Sequence, residues 1–337
     1  MNKWIFYLTV ILATSSGLAK AHSDEEKAEG KYVQVKESLR LAAEQGDATA
    51  QNNLGEMFLY GDGVTQDTQE AVKWFRLAAK QGHANAQFNL GLSYGNGQGV
   101  AQDYQEAAKW FRSAAGQGHA KAQFSLGISY ANGQGVTQNF EEAMKWFRSA
   151  AEQGDAVAQY NLGLIYLDGQ IAAQNYQEAV KWFHLAAKQG HAKAQFNLGV
   201  SYGNGQGVAQ DYQEAVKWFR SAAEQGHAKA QYYLGLSYAN GQGVTQNYQE
   251  AVKWFRLAAQ QGDATAQNSL GLRHDLGQGV KQDYVRAHMW FNLATINGQN
   301  DAQENRDKVA QRMTPAQIVE SQKLAHDCKK SNYMNCD

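Results

Sequence analysis

Two segments of the sequence carry the G-x-S-x-G pattern that presents a nucleophilic serine in many hydrolases: Gly91–Gly95 and Gly199–Gly203. A nucleophile elbow needs a strand that leads into a strained turn, with a histidine and an acidic residue behind the serine. Here the apolar residues around each serine recur at helical spacing, so both serines are expected inside helices. No S-x-x-K motif occurs either. We therefore predict that the chain is not an enzyme and uses no cofactor.

Histidines at one repeated register form a second candidate site, for a metal: His83, His119, His191 and His227. A helix that binds a metal through two histidines places them at i and i+4, whereas these four lie 36 or more residues apart. Three further units have an acidic residue at the same register: Asp47, Asp155 and Asp263. Because this register stands where a helix begins, we interpret all seven residues as N-caps rather than metal ligands.

The elements that carry these residues follow a fixed period. Every tryptophan except Trp4 lies on a 36-residue grid: Trp74, Trp110, Trp146, Trp182, Trp218, Trp254 and Trp290. The unit from His191 reads HAKAQFNLGVSYGNGQGVAQDYQEAVKWFRSAAEQG, and its two halves each show apolar residues at i, i+4 and i+8. We predict an all-α, right-handed solenoid of seven helix-turn-helix repeats over residues 47–298, in which the tryptophans are core rather than a ligand cage.

Glycines give more detail about each unit. Gly199 and its equivalents stand in the middle of the first helix, where glycine costs about 1 kcal/mol relative to alanine. We expect a close approach of two helices to explain them. The turn Gly203–Gly207 supplies residues that tolerate positive φ. In the fourth unit Ile171 replaces one such glycine, so this turn is expected to take another path.

Both ends of the chain depart from the repeat. Residues 1–21 contain Lys3, an apolar run and an A-x-A site before His22, as in a secretory signal peptide. The alternative is a membrane anchor, but the apolar run is too short to span about 30 Å of hydrocarbon. Residues 22–46 and 299–337 are interpreted as capping helices, the latter ending in a tail. The mature chain is thus expected to be secreted or periplasmic, without a membrane span.

Charge and cysteine content narrow the possible partners. Cleavage would remove Lys3 and Lys20 and no acid, which changes the net charge from −1 to −3. No basic patch remains to neutralise phosphates, so nucleic acid is not expected as a partner. Cys328 and Cys336 are predicted to form a disulfide in an exported chain. Two free thiols are the alternative, and zinc spacing is lacking.

A polar column on the first helices is the candidate binding surface. If Ala194, Leu198 and Tyr202 point inwards, Lys193, Asn197, Ser201 and Asn204 share another face. Asparagine offers both hydrogen-bond donors and an acceptor, which suits an extended peptide or a glycan chain. The alternative is that these residues are simply solvated. The candidate residues are Asn53, Asn89, Asn96, Asn132, Asn161, Asn197, Asn204, Tyr233 and Asn240.

The pattern A-x-A-x-x-x-L-G-x-x-Y-x-x-G-x-G-V, followed by D-Y-x-E-A-x-x-W-F-x-x-A-A-x-x-G, resembles the Sel-one-like repeat (SLR) family, relatives of the tetratricopeptide repeats. The tail from Met313 to Ile318 also looks like the family's usual ending. The resemblance implies an adaptor that scaffolds protein complexes, with exported bacterial members associated with host interaction, envelope processes or signalling. A cysteine-rich branch is linked to β-lactam binding and hydrolysis, but all seven units here lack cysteine.

These considerations favour an exported, non-enzymatic scaffold that binds a protein or peptide and is a monomer. One alternative is an enzyme of the β-lactam-binding or β-lactam-hydrolysing kind. Another is a peptidoglycan-binding protein, for which the partner would be a cell-wall glycan.

Overall fold

A computed structural model of the chain describes residues 37–331, Tyr333 and Cys336. Within these residues all regular secondary structure is helical. The predicted signal peptide and most of the predicted N-terminal capping helix lie outside the described residues. Of that capping helix, the part described is helical over residues 37–44, here named α1.

The helices after α1 alternate between the first and second helix of each repeat. They are α2 Ala48–Tyr60, α3 Thr68–Lys80, α4 Ala84–Asn96, α5 Tyr104–Gly116, α6 Ala120–Asn132, α7 Phe140–Glu152, α8 Ala156–Asp168, α9 Tyr176–Lys188, α10 Ala192–Asn204, α11 Tyr212–Glu224, α12 Ala228–Asn240, α13 Tyr248–Ala259, α14 Ala264–Leu276, α15 Tyr284–Ile296, α16 Asn300–Ala310 and α17 Pro315–Lys330.

The chain divides into two compact units, up to Ala158 and from Gln159. In the first unit each helix from α2 to α7 packs on the next along the chain. In the second unit the same holds from α9 to α16. Each unit is therefore a solenoid of helical hairpins, as predicted, because each hairpin buries its apolar face on its neighbour.

The core repeats with the sequence. One leucine of each first helix is fully buried from the second repeat onwards: Leu90, Leu126, Leu162, Leu198, Leu234 and Leu270. The phenylalanine after each tryptophan is buried more deeply than the tryptophan in most repeats. Trp182 and Trp290 are buried. Trp254 packs against a cluster that contains Phe219 of the preceding repeat and Leu234 of the first helix of its own repeat. The tryptophans are thus core residues, as predicted.

The mid-helix glycine allows two helices of one repeat to approach closely. A Cβ atom on Gly199 would lie 2.6 Å from a ring carbon of Phe219 and 3.1 Å from the carbonyl oxygen of Ala215. A side chain at this position would overlap α11. The predicted close approach is confirmed.

The turn of the fourth repeat differs from the others, as predicted. Gly207 has φ +77°, and its equivalents in the other glycine-containing turns are also positive, whereas Ile171 is not among the residues with positive φ. In the fifth repeat the N–H of Gln206 donates to the carbonyl of Ser201 at 3.0 Å. Gln170 makes no equivalent bond, whereas the N–H groups of Gly169 and Asn175 donate to the carbonyls of Ile165 and Tyr166 in α8.

The C-terminal helices close the second unit. Thr314 caps α17 through a capping box with Gln317, and Pro315 occupies the first helical position. α17 packs on α15, where Trp290 and Leu293 are fully buried. The predicted disulfide joins Cys328 and Cys336, with their Cα atoms 4.7 Å apart.

In the portion that the structure describes, every helix falls short of the length and apolar character that a membrane crossing requires.

Candidate binding surface

The first residue of each repeat is a helix N-cap. The Nδ1 atom of His119 accepts the N–H of Ala122 at 3.1 Å, and Asp263 accepts that of Ala266 at 2.8 Å. The same bond is made at His83, His191, His227, Asp47 and Asp155. The capping interpretation is therefore confirmed. Among the described residues, no group of three or more metal-ligating side chains occurs.

The capping histidines also contact the preceding repeat. The ring of His119 stacks on Phe88, with centroids 4.8 Å apart, and His227 stacks on Phe196 at 5.0 Å. Burial lowers the pKa of both histidines, and nearby lysines lower it further, Lys121 for His119. Burial thus favours the neutral form of these rings, which is the form that can accept through Nδ1.

A buried glutamine recurs in each repeat and, within each of the two units, links three helices, and the sequence reasoning overlooked it. The Nε2 atom of Gln195 donates to the carbonyl of Ala187 on α9 at 3.1 Å, and its Oε1 accepts from Gln225, the C-cap of α11, at 2.7 Å. Its equivalents are buried at Gln51, Gln87, Gln123, Gln159, Gln231 and Gln267. The signal was available, because glutamine recurs at this register in all seven units.

Ser201 of the predicted polar column and its equivalents Ser93 and Ser129 are buried, so the prediction that this serine belongs to the exposed binding surface is wrong. The exposed fraction of these residues is 3% for Ser93, 6% for Ser129 and 6% for Ser201. Each hydroxyl donates to the carbonyl four residues earlier, as Ser201 does to Asn197 at 3.0 Å. A serine of small volume fits against the neighbouring helix and satisfies its hydroxyl locally. Because Ser93 and Ser201 lie inside α4 and α10, the G-x-S-x-G segments are not nucleophile elbows.

The candidate asparagines fall at two levels of the first helices. Asn53 and Tyr233 are exposed in mid-helix, and three others at that level are partly exposed: Asn89, Asn161 and Asn197. The second level is the last residue of the helix, with Asn96, Asn204 and Asn240 exposed and Asn132 partly exposed. All nine therefore reach the surface to some extent, whereas the serines between the two levels do not.

Mid-helix asparagines also bond to the preceding repeat. Asn89 donates to Oδ1 of Asn52 at 3.1 Å and to Oε1 of Glu56 at 3.0 Å. Burial raises the pKa of Tyr160, and a hydrogen bond from Asn197 opposes that shift. These amides thus help to hold adjacent repeats together, which leaves only part of their hydrogen-bonding capacity for a ligand.

An aromatic cluster interrupts the asparagine level in the sixth repeat. The ring of Tyr233 lies 5.4 Å from Phe196 and 5.5 Å from Tyr232, both edge to face, and 5.3 Å from Phe219. Such geometry is favourable for aromatic pairs. Tyr233 nevertheless keeps 37% of its surface exposed.

Charge is distributed unequally between the two helices of a repeat. Lysines near the middle of the second helices pair with the glutamate three residues earlier, as Lys217 does with Glu214 at 2.7 Å; the others are Lys73, Lys109, Lys145, Lys181 and Lys253. The first helices carry mainly amides, small residues and aromatic rings. Their surface thus offers hydrogen bonds and ring contacts.

Comparison with known proteins matches this sequence to the Sel1 repeat over residues 48–83, 84–119, 120–155, 156–191, 192–227, 228–263 and 264–298. A solved protective antigen present in uropathogenic Escherichia coli strains, which displays an SLR fold, is 32% identical over 88% of this chain and 72% of its own, with a TM-score of 0.55. A Sel1 repeat protein from Oxalobacter formigenes is 34% identical over 82% of this chain and 80% of its own, with a TM-score of 0.65. None of the curated proteins matches the sequence.

Proposed function

The chain belongs to the Sel1 repeat family, whose members typically scaffold protein interactions, and from this premise we propose that it is an exported, non-enzymatic scaffold that binds a partner protein or peptide through its first helices. The observation that carries the proposal is the set of accessible amides on those helices, together with the exposed ring of Tyr233. The charged side chains in the middle of the second helices are largely paired within the same helix. The second helices therefore present fewer unpaired charges to a partner.

Site-specific photo-crosslinking tests which helices meet the partner. A photoreactive phenylalanine analogue replaces Asn53 or Tyr233 on first helices, and Ser113 on a second helix; all three positions are exposed. We expect a crosslinked partner from the first-helix positions only. A partner captured solely from Ser113 would move the binding surface to the second helices.

This design avoids the asparagines that bond between repeats. Replacing Asn89 would remove its bonds to Asn52 and Glu56, so lost binding would be confounded with lost stability. Asn53 and Tyr233 are more exposed, and a bulky analogue is accommodated there with less disturbance of packing.

Export is the second part of the proposal. The order of charge, apolar run and A-x-A site in residues 1–21 supports it. N-terminal sequencing of the protein from the producing cell is expected to start at His22. A sequence that starts at Met1 would contradict cleavage.

A cell-wall glycan is the alternative partner, because exposed rings such as Tyr233 and amides such as Asn53 also suit sugar rings. Sedimentation with insoluble peptidoglycan separates the two proposals. Co-sedimentation that the Y233N variant loses would favour the glycan.

A further inference from the structure

Two lysines of the second unit differ from those in the middle of the second helices. Lys193 on α10 and Lys229 on α12 are exposed and occupy the same register in adjacent repeats. Neither makes an ion pair in the described part of the chain, whereas Lys217 on the intervening α11 pairs with Glu214 at 2.7 Å. Within residues 37–331, then, no carboxylate pairs with either lysine.

Both lysines act on one position between them. His227, the N-cap of α12, is half-buried, and its pKa is lowered first by burial and then by the charges of Lys193 and Lys229. Two positive charges thus act on this ring, although the whole chain has a net charge of −1.

An unbroken series of rings connects these charges to an exposed aromatic side chain. His227 stacks on Phe196 with centroids 5.0 Å apart and planes at 27°. Phe196 contacts Tyr233 edge to face at 5.4 Å. Tyr233 is held by its neighbours yet 37% exposed, so its outer surface is presented with little loss of side-chain freedom on binding.

The coincidence of these residues is specific to this part of the array. The register of Tyr233 is asparagine or serine in the other repeats, such as Asn89 and Ser125. The register of Lys193 is Asn85 in the second repeat and Val157 in the fourth. The fifth and sixth repeats alone place two lysines at this register in succession, beside the tyrosine.

We propose that Lys193, Lys229 and Tyr233 form the anchoring site for an extended acidic segment of the partner that carries an aromatic side chain near its carboxylates. This rests on the proposed function and names the chemistry of the partner. The lysines attract the carboxylates and speed the encounter. The Tyr233 ring packs against the aromatic side chain of the segment. The side-chain amides of the neighbouring first-helix asparagines donate hydrogen bonds to the backbone of the partner segment and accept hydrogen bonds from it.

Fluorescence anisotropy with a short labelled peptide of alternating glutamate and tyrosine tests the site on the chain from His22 onwards. We expect binding that weakens as salt is added. The Y233N variant and the K193N/K229N variant take residues that other repeats hold, so both are expected to stay folded. Each is expected to weaken binding by about tenfold, as loss of an anchoring contact does. K217N on α11 is the control and is expected to bind like the unmodified chain.

Three results would overturn the proposal. The first is that the glutamate–tyrosine peptide does not bind the unmodified chain. The others are that the Y233N and K193N/K229N variants bind this peptide as tightly as the unmodified chain does, or that a lysine–tyrosine peptide binds the unmodified chain as tightly as the glutamate–tyrosine peptide does. Circular dichroism and the melting temperature report whether each variant folds. If Y233N is unstable, Y233S replaces it, because the third repeat holds Ser125 at this register. Photo-crosslinking from Asn53 is independent of this peptide, so a crosslinked partner without peptide binding would reject this site while leaving the proposed function standing.

Discussion

At the scale of single residues, the helix caps differ in their response to protonation. A histidine cap accepts a backbone N–H through Nδ1, which has a free lone pair only in the neutral ring. An aspartate cap keeps its acceptor oxygens charged down to a pH of about 4. The repeats use both types of cap at one register. Replacing a histidine cap by aspartate therefore introduces a residue that other repeats already hold at that position.

We expect the chain to lose stability between about pH 7.5 and about pH 5.5, and the H119D/H227D variant to lose less. Burial lowers the pKa of His119 and His227 in the folded state. Below the unfolded-state pKa of about 6.5, the unfolded chain therefore binds more protons than the folded chain. The contribution of these histidines to the free energy of unfolding therefore has its full value above that pH, and it falls as the pH drops towards their folded-state pKa. Urea midpoints at the two pH values measure the difference.

The reverse substitution is the control for this prediction. D263H places histidine at a register now held by Asp263, whose bond to Ala266 is 2.8 Å long. We expect it to increase the pH dependence, since each cap contributes about 1 kcal/mol. Identical pH dependence in all three proteins would show that the caps do not titrate in this range.

At the scale of the helical elements, the mid-helix glycines determine how closely the two helices of a repeat pack. In G199A the added Cβ would lie 2.6 Å from the Phe219 ring, an overlap that costs about 1–3 kcal/mol. The gain of about 1 kcal/mol in helix propensity offsets part of this cost, so we expect a net destabilisation of the second unit of up to about 2 kcal/mol. The matched control is G116A at the end of α5, where nothing lies within 4 Å of an added Cβ. It is expected to be neutral or slightly stabilising in urea denaturation, and a loss as large as that of G199A would contradict the packing argument.

The turn after α8 is a second feature at this scale. The I171G/A172V variant gives this turn the Gly-Val of the other repeats, so positive φ becomes accessible at residue 171. We expect the N–H of Gln170 to gain a bond to Ile165, as Gln206 has to Ser201 at 3.0 Å. Hydrogen exchange of the Gln170 amide is then expected to slow. Unchanged exchange would mean that other contacts determine the turn.

At the scale of the whole molecule, stability is expected to depend on contacts between neighbouring repeats. W182A removes a ring that is only 6% exposed in the second unit, and we expect a loss of about 3–5 kcal/mol. Circular dichroism and tryptophan fluorescence in urea measure the loss and its cooperativity. The matched control is L185A on the same helix, because Leu185 is exposed. An unchanged midpoint for W182A would show that this ring is not essential core.

Much of this architecture follows from the sequence because the same pattern of apolar, cap and turn residues recurs in all seven units. The tryptophan grid, the apolar spacing and the cap residues such as Asp211 determine helix after helix without long-range information. The departure at Ile171 was equally predictable, because it breaks a register that every other repeat keeps at glycine.

Only the tertiary structure decided which polar residues reach solvent. Ser201 and Gln195 look as hydrophilic in sequence as Asn204, yet the first two are buried between helices and the third is exposed. Burial depends on how closely neighbouring helices approach, and a polar side chain tolerates it when a carbonyl or amide lies within reach. The periodicity of one helix specifies its inward face, but the width of the strip that the next repeat covers is a property of the packed array.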